Sequence, residues 1–196
     1  MRIQDATGQG PGAKVGATNR LYTFAIAENF EEFANKEGDA YNINTGTITL
    51  TDAVDTPVLY LKNNEDKDLI VTALAIGAGP STGAATDANA VITVVRNPTV
   101  GTIITSTPTD VDMNQNRNFG SSKTLTADAY KGATGDTMTD GDDIIQFYQS
   151  ENSRLFATLN IIIPKSKSIG VKFDPAASNT SQDVYAALIC HLDETL

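Results

Sequence analysis

Tryptophan is absent from the 196 residues, and cysteine and histidine occur once each. Cations are scarce too, with 14 Lys and Arg against 24 Asp and Glu. Each shortage excludes something. The single cysteine, Cys190, permits no intrachain disulfide and no thiolate metal cluster. Within its apolar run it reads as a small buried hydrophobe. A net charge of −10 and a pI near 4.4 leave no basic footprint for displacing counterions from nucleic acid. Lys165-Ser166-Lys167 is the longest basic cluster, and an anionic membrane is disfavoured on the same ground. No run of apolar residues is long enough to span a bilayer as a helix. Met1 to Asp5 opens without the apolar stretch of a signal peptide, so the expectation is synthesis in a cytosol and no secretory export.

The lone His191 would have to serve any Ser-His-Asp or Cys-His system. On a strand, Tyr185, Ala187, Ile189 and His191 share one face, and Ala186, Leu188, Cys190 and Leu192 the other. Cys190 and His191 therefore form no dyad, and His191 is expected at a surface or interface. The glycines at 8, 10, 12 and 16 follow no strand and precede no Gly-Lys-Ser/Thr, which excludes a phosphate loop. Asp136, Asp140, Asp142 and Asp143 cluster in one loop, but without the alternation and closing glutamate of a calcium-binding helix–loop–helix. They read as solvated turn carboxylates. A pair of glycosidase carboxylates would need a cleft and aromatic platforms, and tryptophan is missing. The chain is thus expected to be non-enzymatic, with no cofactor and no metal.

What the sequence does hold is threonine, 25 residues of it, with hydrophobic residues at 40%. Threonine is β-branched and suits a half-exposed pleated surface. Residues 1–20 are rich in glycine and poor in apolar groups, and read as an extended arm. Residues 21–35 fit a short helix, and Leu21 to Ala27 fits a strand equally well. From residue 41 onward strands follow one another. Thr47 to Thr51 alternates with period two, and Pro57 to Lys62, Leu69 to Ile76 and Val91 to Arg96 follow. Ile103-Ile104 and residues 123–129 are further short candidates. Ile144 to Tyr148, Arg154 to Ile163, Ser168 to Phe173 and Val184 to Leu192 complete the set. Turn residues separate them, and no long helix intervenes. The reading is an all-β, antiparallel β-sandwich of jelly-roll type over residues 41–196, preceded by an N-terminal arm and linker over residues 1–40.

One polar stretch stands out. Asn114-Gln115-Asn116-Arg117-Asn118-Phe119-Gly120 is dense in side-chain amides, and Arg and Phe are common interface anchors. The loop either meets a partner or satisfies its own backbone. The acidic loop 132–143 and the loop 77–90 are candidate binding tips.

Several segments resemble virion proteins of tailed bacteriophages. They are Gln4 to Gly8 with Ala13-Lys14-Val15 and Asn19-Arg20-Leu21, then Val58 to Asn63, Arg96 to Thr99, Asn116 to Lys123, and Val184 to Leu188. The resemblance implies a capsid accessory (decoration or cement) protein in the virion. Such a protein is expected as a homotrimer bound to the major capsid protein or other virion subunits, with no nucleic-acid or membrane partner. The interface residues expected on this reading are Lys14, Val15, Asn19 and Arg20 in the arm, and Asn116, Arg117 and Phe119 in the amide loop. The alternative is a tail, fibre or baseplate component that recognises a host glycan.

Overall fold

The computed structural model describes residues 29–51, 54–81, 89–105, 109–111, 115–150, 153–175 and 181–193. Lys14, Val15, Asn19 and Arg20 lie outside the described residues.

The first described element is a helix, α1 (Phe30–Glu37), which overlaps the end of the expected short helix, while the alternative strand over Leu21–Ala27 lies outside the described residues. The Asn29 side chain caps it by accepting from Glu32 N–H at 2.6 Å, and Glu31 and Glu32 occupy the first turn. Gly38 ends it at φ 80°, in the left-handed region that glycine adopts without strain. There Asp39 N–H reaches back to the carbonyl of Ala34 at 2.7 Å.

Strands β1 (Ala40–Asn44), β2 (Ile48–Leu50), β3 (Thr56–Asn63), β4 (Leu69–Pro80) and β5 (Asn89–Arg96) follow. A long connection then holds α2 (Thr102–Thr105), β6 (Thr109–Asp110) and β7 (Ala127–Lys131). The chain closes with β8 (Asp142–Ser150), β9 (Ser153–Ile163), β10 (Ser168–Asp174) and β11 (Gln182–Leu192).

Two antiparallel sheets result. The first runs β1-β11-β4-β9, with β2 sharing β1's edge of β11, and the second runs β6-β7-β3-β10-β5-β8. The pairs β1/β2·β11, β3·β10, β4·β9 and β5·β8 nest one inside another and fall alternately in the two sheets. That is the winding of a jelly roll, with β6 and β7 added beside β3.

The core is the space between the sheets. Tyr41, Leu50, Leu61, Leu74, Ile76, Ile92, Val171, Phe173 and Leu188 fill it, each essentially inaccessible to solvent. A smaller cluster of Tyr60, Val95, Ile103 and Met138 lies outside this main core. Tyr60 stacks there on Tyr130 with centroids 5.8 Å apart. Ile103-Ile104, expected as a short strand, belongs to α2 instead, because Ile103 turns inward to this satellite cluster. The strand expected at 123–129 begins at Ala127.

Candidate functional site

The groups most capable of chemistry are committed to the fold. Cys190 faces the core and is fully buried, and desolvation pushes its thiol up to about 12. His191 faces the other way, as strand geometry requires. It is not the surface histidine that its position near the chain end suggests, because only 5% of it is accessible. Burial there lowers its basicity, opposed by the nearby carboxylates Glu31 and Asp193.

Three of the four carboxylates of the acidic loop are also engaged. Asp136 accepts from Ala133 N–H at 2.7 Å and from the Thr102 hydroxyl at 2.9 Å. Asp140 accepts from the Thr99 hydroxyl at 2.6 Å, Thr99 N–H at 2.8 Å and Val100 N–H at 2.7 Å. These bonds hold its carboxyl below the ordinary range. Asp142 pairs with Arg96 at 2.6 Å. Among the described residues no three His, Cys, Asp or Glu side chains are grouped to hold a metal ion.

The amide loop acts as a clasp. Gln115 and Arg117 pair with the backbone of β1, through Asn42 N–H to the carbonyl of Gln115 at 3.0 Å and Arg117 N–H to the carbonyl of Ala40 at 2.9 Å. The Asn116 amide donates to the carbonyls of Gly38 at 2.7 Å and Lys123 at 3.1 Å, and its oxygen accepts from Asn118 N–H at 2.8 Å. Arg117 forms an ion pair with Glu31 of α1, and Asn118 donates to the carbonyl of Lys36 at 2.9 Å. Lys123 reaches Asp39 at 2.8 Å. Asn116 and Arg117 are therefore bound internally, and the loop pins α1 to sheet one. Phe119 alone points away, with its side chain fully exposed.

The clasp also covers one side of the sandwich. There the β1 edge carries residues 115–117, and sheet two is extended by β7 and β6. The opposite side is different. Among the described residues β8 ends sheet two and β9 ends sheet one, each paired on one flank only. Tyr148 is 74% exposed, Phe156 67% and Ile162 60%, and Ile144 is exposed as well. Between the sheets on this side Ile145, Phe147, Leu155, Leu159 and Ile161 are only partly buried. The segments 144–150 and 155–163 contain no Asp, Glu, Lys, Arg or His. A groove lined by Ile144, Ile161, Ile162, Pro164 and Ile169, together with Arg96 and Lys167, lies at one end of these strands. Residue patterning missed this surface. β9 alternates like any half-buried strand, and only the strand order reveals that it is an edge.

A second groove holds Gly77, Arg154, Asp183 and Tyr185. The end of the Tyr185 ring lies on the backbone of Gly77, where a methyl group would overlap it.

Fold and surface together define an all-β jelly-roll sandwich with one edge clasped by the amide loop and with large apolar side chains exposed on its outer faces. No protein-family model matches the chain, and no curated protein matches its sequence.

Proposed function

We propose that the chain is a non-enzymatic structural subunit of a tailed-phage particle, an accessory capsid protein that binds the outer shell and stabilises the head. The observation that carries this reading is the contrast between its groups. The carboxylates of Asp136, Asp140 and Asp142 and the side chains of Asn116 and Arg117 are engaged by the chain's own backbone and side chains, whereas large apolar side chains such as Tyr148, Phe156, Ile162 and Phe119 face solvent. That division suits a protein whose work is to add interface. Burying apolar surface contributes about 25 cal/mol per Å² before association costs. Multivalent attachment raises avidity without new contacts. The resemblance of the arm and amide loop to virion proteins supports the same reading. In it Lys14, Val15, Asn19 and Arg20 dock on the major capsid protein or a neighbouring subunit, and Phe119 is the exposed anchor of the amide loop.

Co-sedimentation with shells of the encoding particle tests this. The full chain is expected to pellet with the shells, and a chain lacking residues 1–20 to stay in the supernatant with its melting temperature unchanged. A full chain that stays in the supernatant overturns the proposal.

A tail or fibre role in glycan recognition is the second reading, favoured by Tyr185 over Gly77 beside Arg154 and Asp183. Aromatic faces and charged hydrogen-bonding groups are the usual components of a sugar site. Saturable binding on a glycan array, lost in Tyr185→Ala, would favour it.

A further inference from the structure

We propose that residues 21–28 of this chain dock on the outer face of its own sheet one, in a shallow trough that starts at α1 and runs towards Tyr185. This contact goes beyond the capsid role, and holds the root of the N-terminal arm whatever the arm binds.

The trough follows from strand register. Leu74, Ile76, Ala186 and Leu188 face the core, so Ala73, Ala75, Ala187 and Ile189 face outward. Cross-strand pairing sets them in rows, Ile189–Ala73–Thr158 and then Ala187–Ala75–Phe156, with Tyr185–Gly77–Arg154 beyond. The floor is therefore made of small side chains, and Phe156 stands beside it at 67% exposure. Ala75, Ala187 and Ile189 are only half-buried. The first two rows carry no charge.

The sequence of the strands says that this face has a cover. A strand with one solvated face alternates apolar and polar residues, whereas a strand covered on both faces reads as a continuous apolar run. Leu69-Ile70-Val71-Thr72-Ala73-Leu74-Ala75-Ile76 in β4 and Val184-Tyr185-Ala186-Ala187-Leu188-Ile189-Cys190 in β11 are of the second kind.

The chain before α1 is the occupant best placed to supply that cover. Glu31, in the first turn of α1, lines one groove with Arg117, Thr72, Phe156, Thr158 and Ile189. Residue 28 joins the cap of α1, so the preceding chain starts at the mouth of the trough. Leu21-Tyr22-Thr23-Phe24-Ala25-Ile26-Ala27 has no charge and four large apolar side chains, which suit a floor of alanines. Seven residues reach up to about 25 Å. From Ile189 to Tyr185 the strand covers only about 13 Å. The charges that bound the segment, Arg20 and Glu28, fall beyond the uncharged rows. There the face has its own charges, the Glu31–Arg117 pair at one end and Arg154 with Asp183 at the other. A segment tethered directly to α1 also has a high effective concentration at this face, which a second copy lacks.

Hydrogen exchange on the full chain at two protein concentrations tests the contact. Residues 21–28 are expected to exchange at least about tenfold more slowly than an unstructured peptide, equally at both concentrations. Ala75→Arg and Ala187→Arg each place a long cation on the trough floor. Each is expected to return the segment to unprotected exchange while β10 keeps its protection. Phe24→Ser/Ile26→Ser removes anchors from the occupant instead, leaves the sheet unaltered, and should do the same. Tyr148→Arg, on the outer face of sheet two, is the control and should leave the segment protected. Unprotected exchange of residues 21–28 in the wild type overturns the inference, as does protection that survives the floor and anchor variants. Protection seen only at the higher concentration, with a light-scattering mass above 20.8 kDa, overturns it in favour of a segment exchanged between copies. Co-sedimentation with shells reads the capsid role separately, so either proposal can fail alone.

Discussion

Replacing Asn116 by alanine should loosen the clasp by a predictable amount. Its amide has two N–H groups, and they are spent on the carbonyls of Gly38 and Lys123, while its oxygen takes the Asn118 N–H. Each such bond contributes about 0.5–1.5 kcal/mol net. Asn116 is half-buried, so water replaces its bonds only in part. The expected loss is about 2–3 kcal/mol. For a chain of this length each kcal/mol moves Tm by about 2–4 °C, so calorimetry should show a drop of roughly 4–12 °C. Hydrogen exchange localises the effect. Protection should fall in α1 and over residues 115–123, while β4 and β10 keep theirs. Asn116→Asp retains the acceptor and loses both donors, so it should fall between wild type and alanine. Phe119→Ala, at a fully exposed position three residues further along, should leave Tm unchanged. An Asn116→Ala protein melting within about 1 °C of wild type would refute the clasp.

Three further outcomes follow from buried groups. Phe173→Ala, at a fully buried core position, should cost about 3–5 kcal/mol in urea unfolding with an unchanged m-value. The Cys190 thiol should resist a disulfide reagent in the native protein at pH 8 and react stoichiometrically once unfolded, because burial raises its pKa to about 12. His191 is less basic folded than its ordinary value of 6.5, so below that pH the unfolded chain takes up the proton first. Stability should therefore weaken as pH falls from about 6.5 towards the folded pKa, and His191→Gln should flatten that part of the urea-unfolding pH profile.

The strands that could be read from sequence are those whose side chains alternate between core and surface or run apolar between turn residues. Leu69 to Ile76, Val91 to Arg96 and Ser168 to Phe173 sit inside β4, β5 and β10. Where the sequence misleads, packing decides. Ile103-Ile104 is β-branched and suggests a strand, yet one turn of helix delivers Ile103 to the cluster of Tyr60, Val95 and Met138. His191 looks peripheral by position, but β11 lies between β1 and β4, with α1 alongside. The amide loop was recognisable as dense in hydrogen-bonding groups, and its composition could not say whether they point inward or outward. The exposure of Phe156 and Ile162 was hidden for a related reason. Both are ordinary residues of an alternating strand, and only the packing shows that the face they occupy is the outer one of sheet one.

That winding also constrains how the chain is made. β11 leaves the ribosome after every other described strand, yet it forms the middle of its sheet, flanked by β1 and β2 on one side and β4 on the other. Until it emerges, those earlier strands have no central partner, and the apolar faces of β4 and β1 stay uncovered. A nascent chain of this topology cannot complete its core progressively from the N-terminus. Its first sheet closes only once β11 has emerged, by pairings that span up to about 150 residues, the kind of contact that makes folding slow. A ribosome stalled before Gln182 would therefore hold a chain that exposes more aggregation-prone edge than the finished protein ever does.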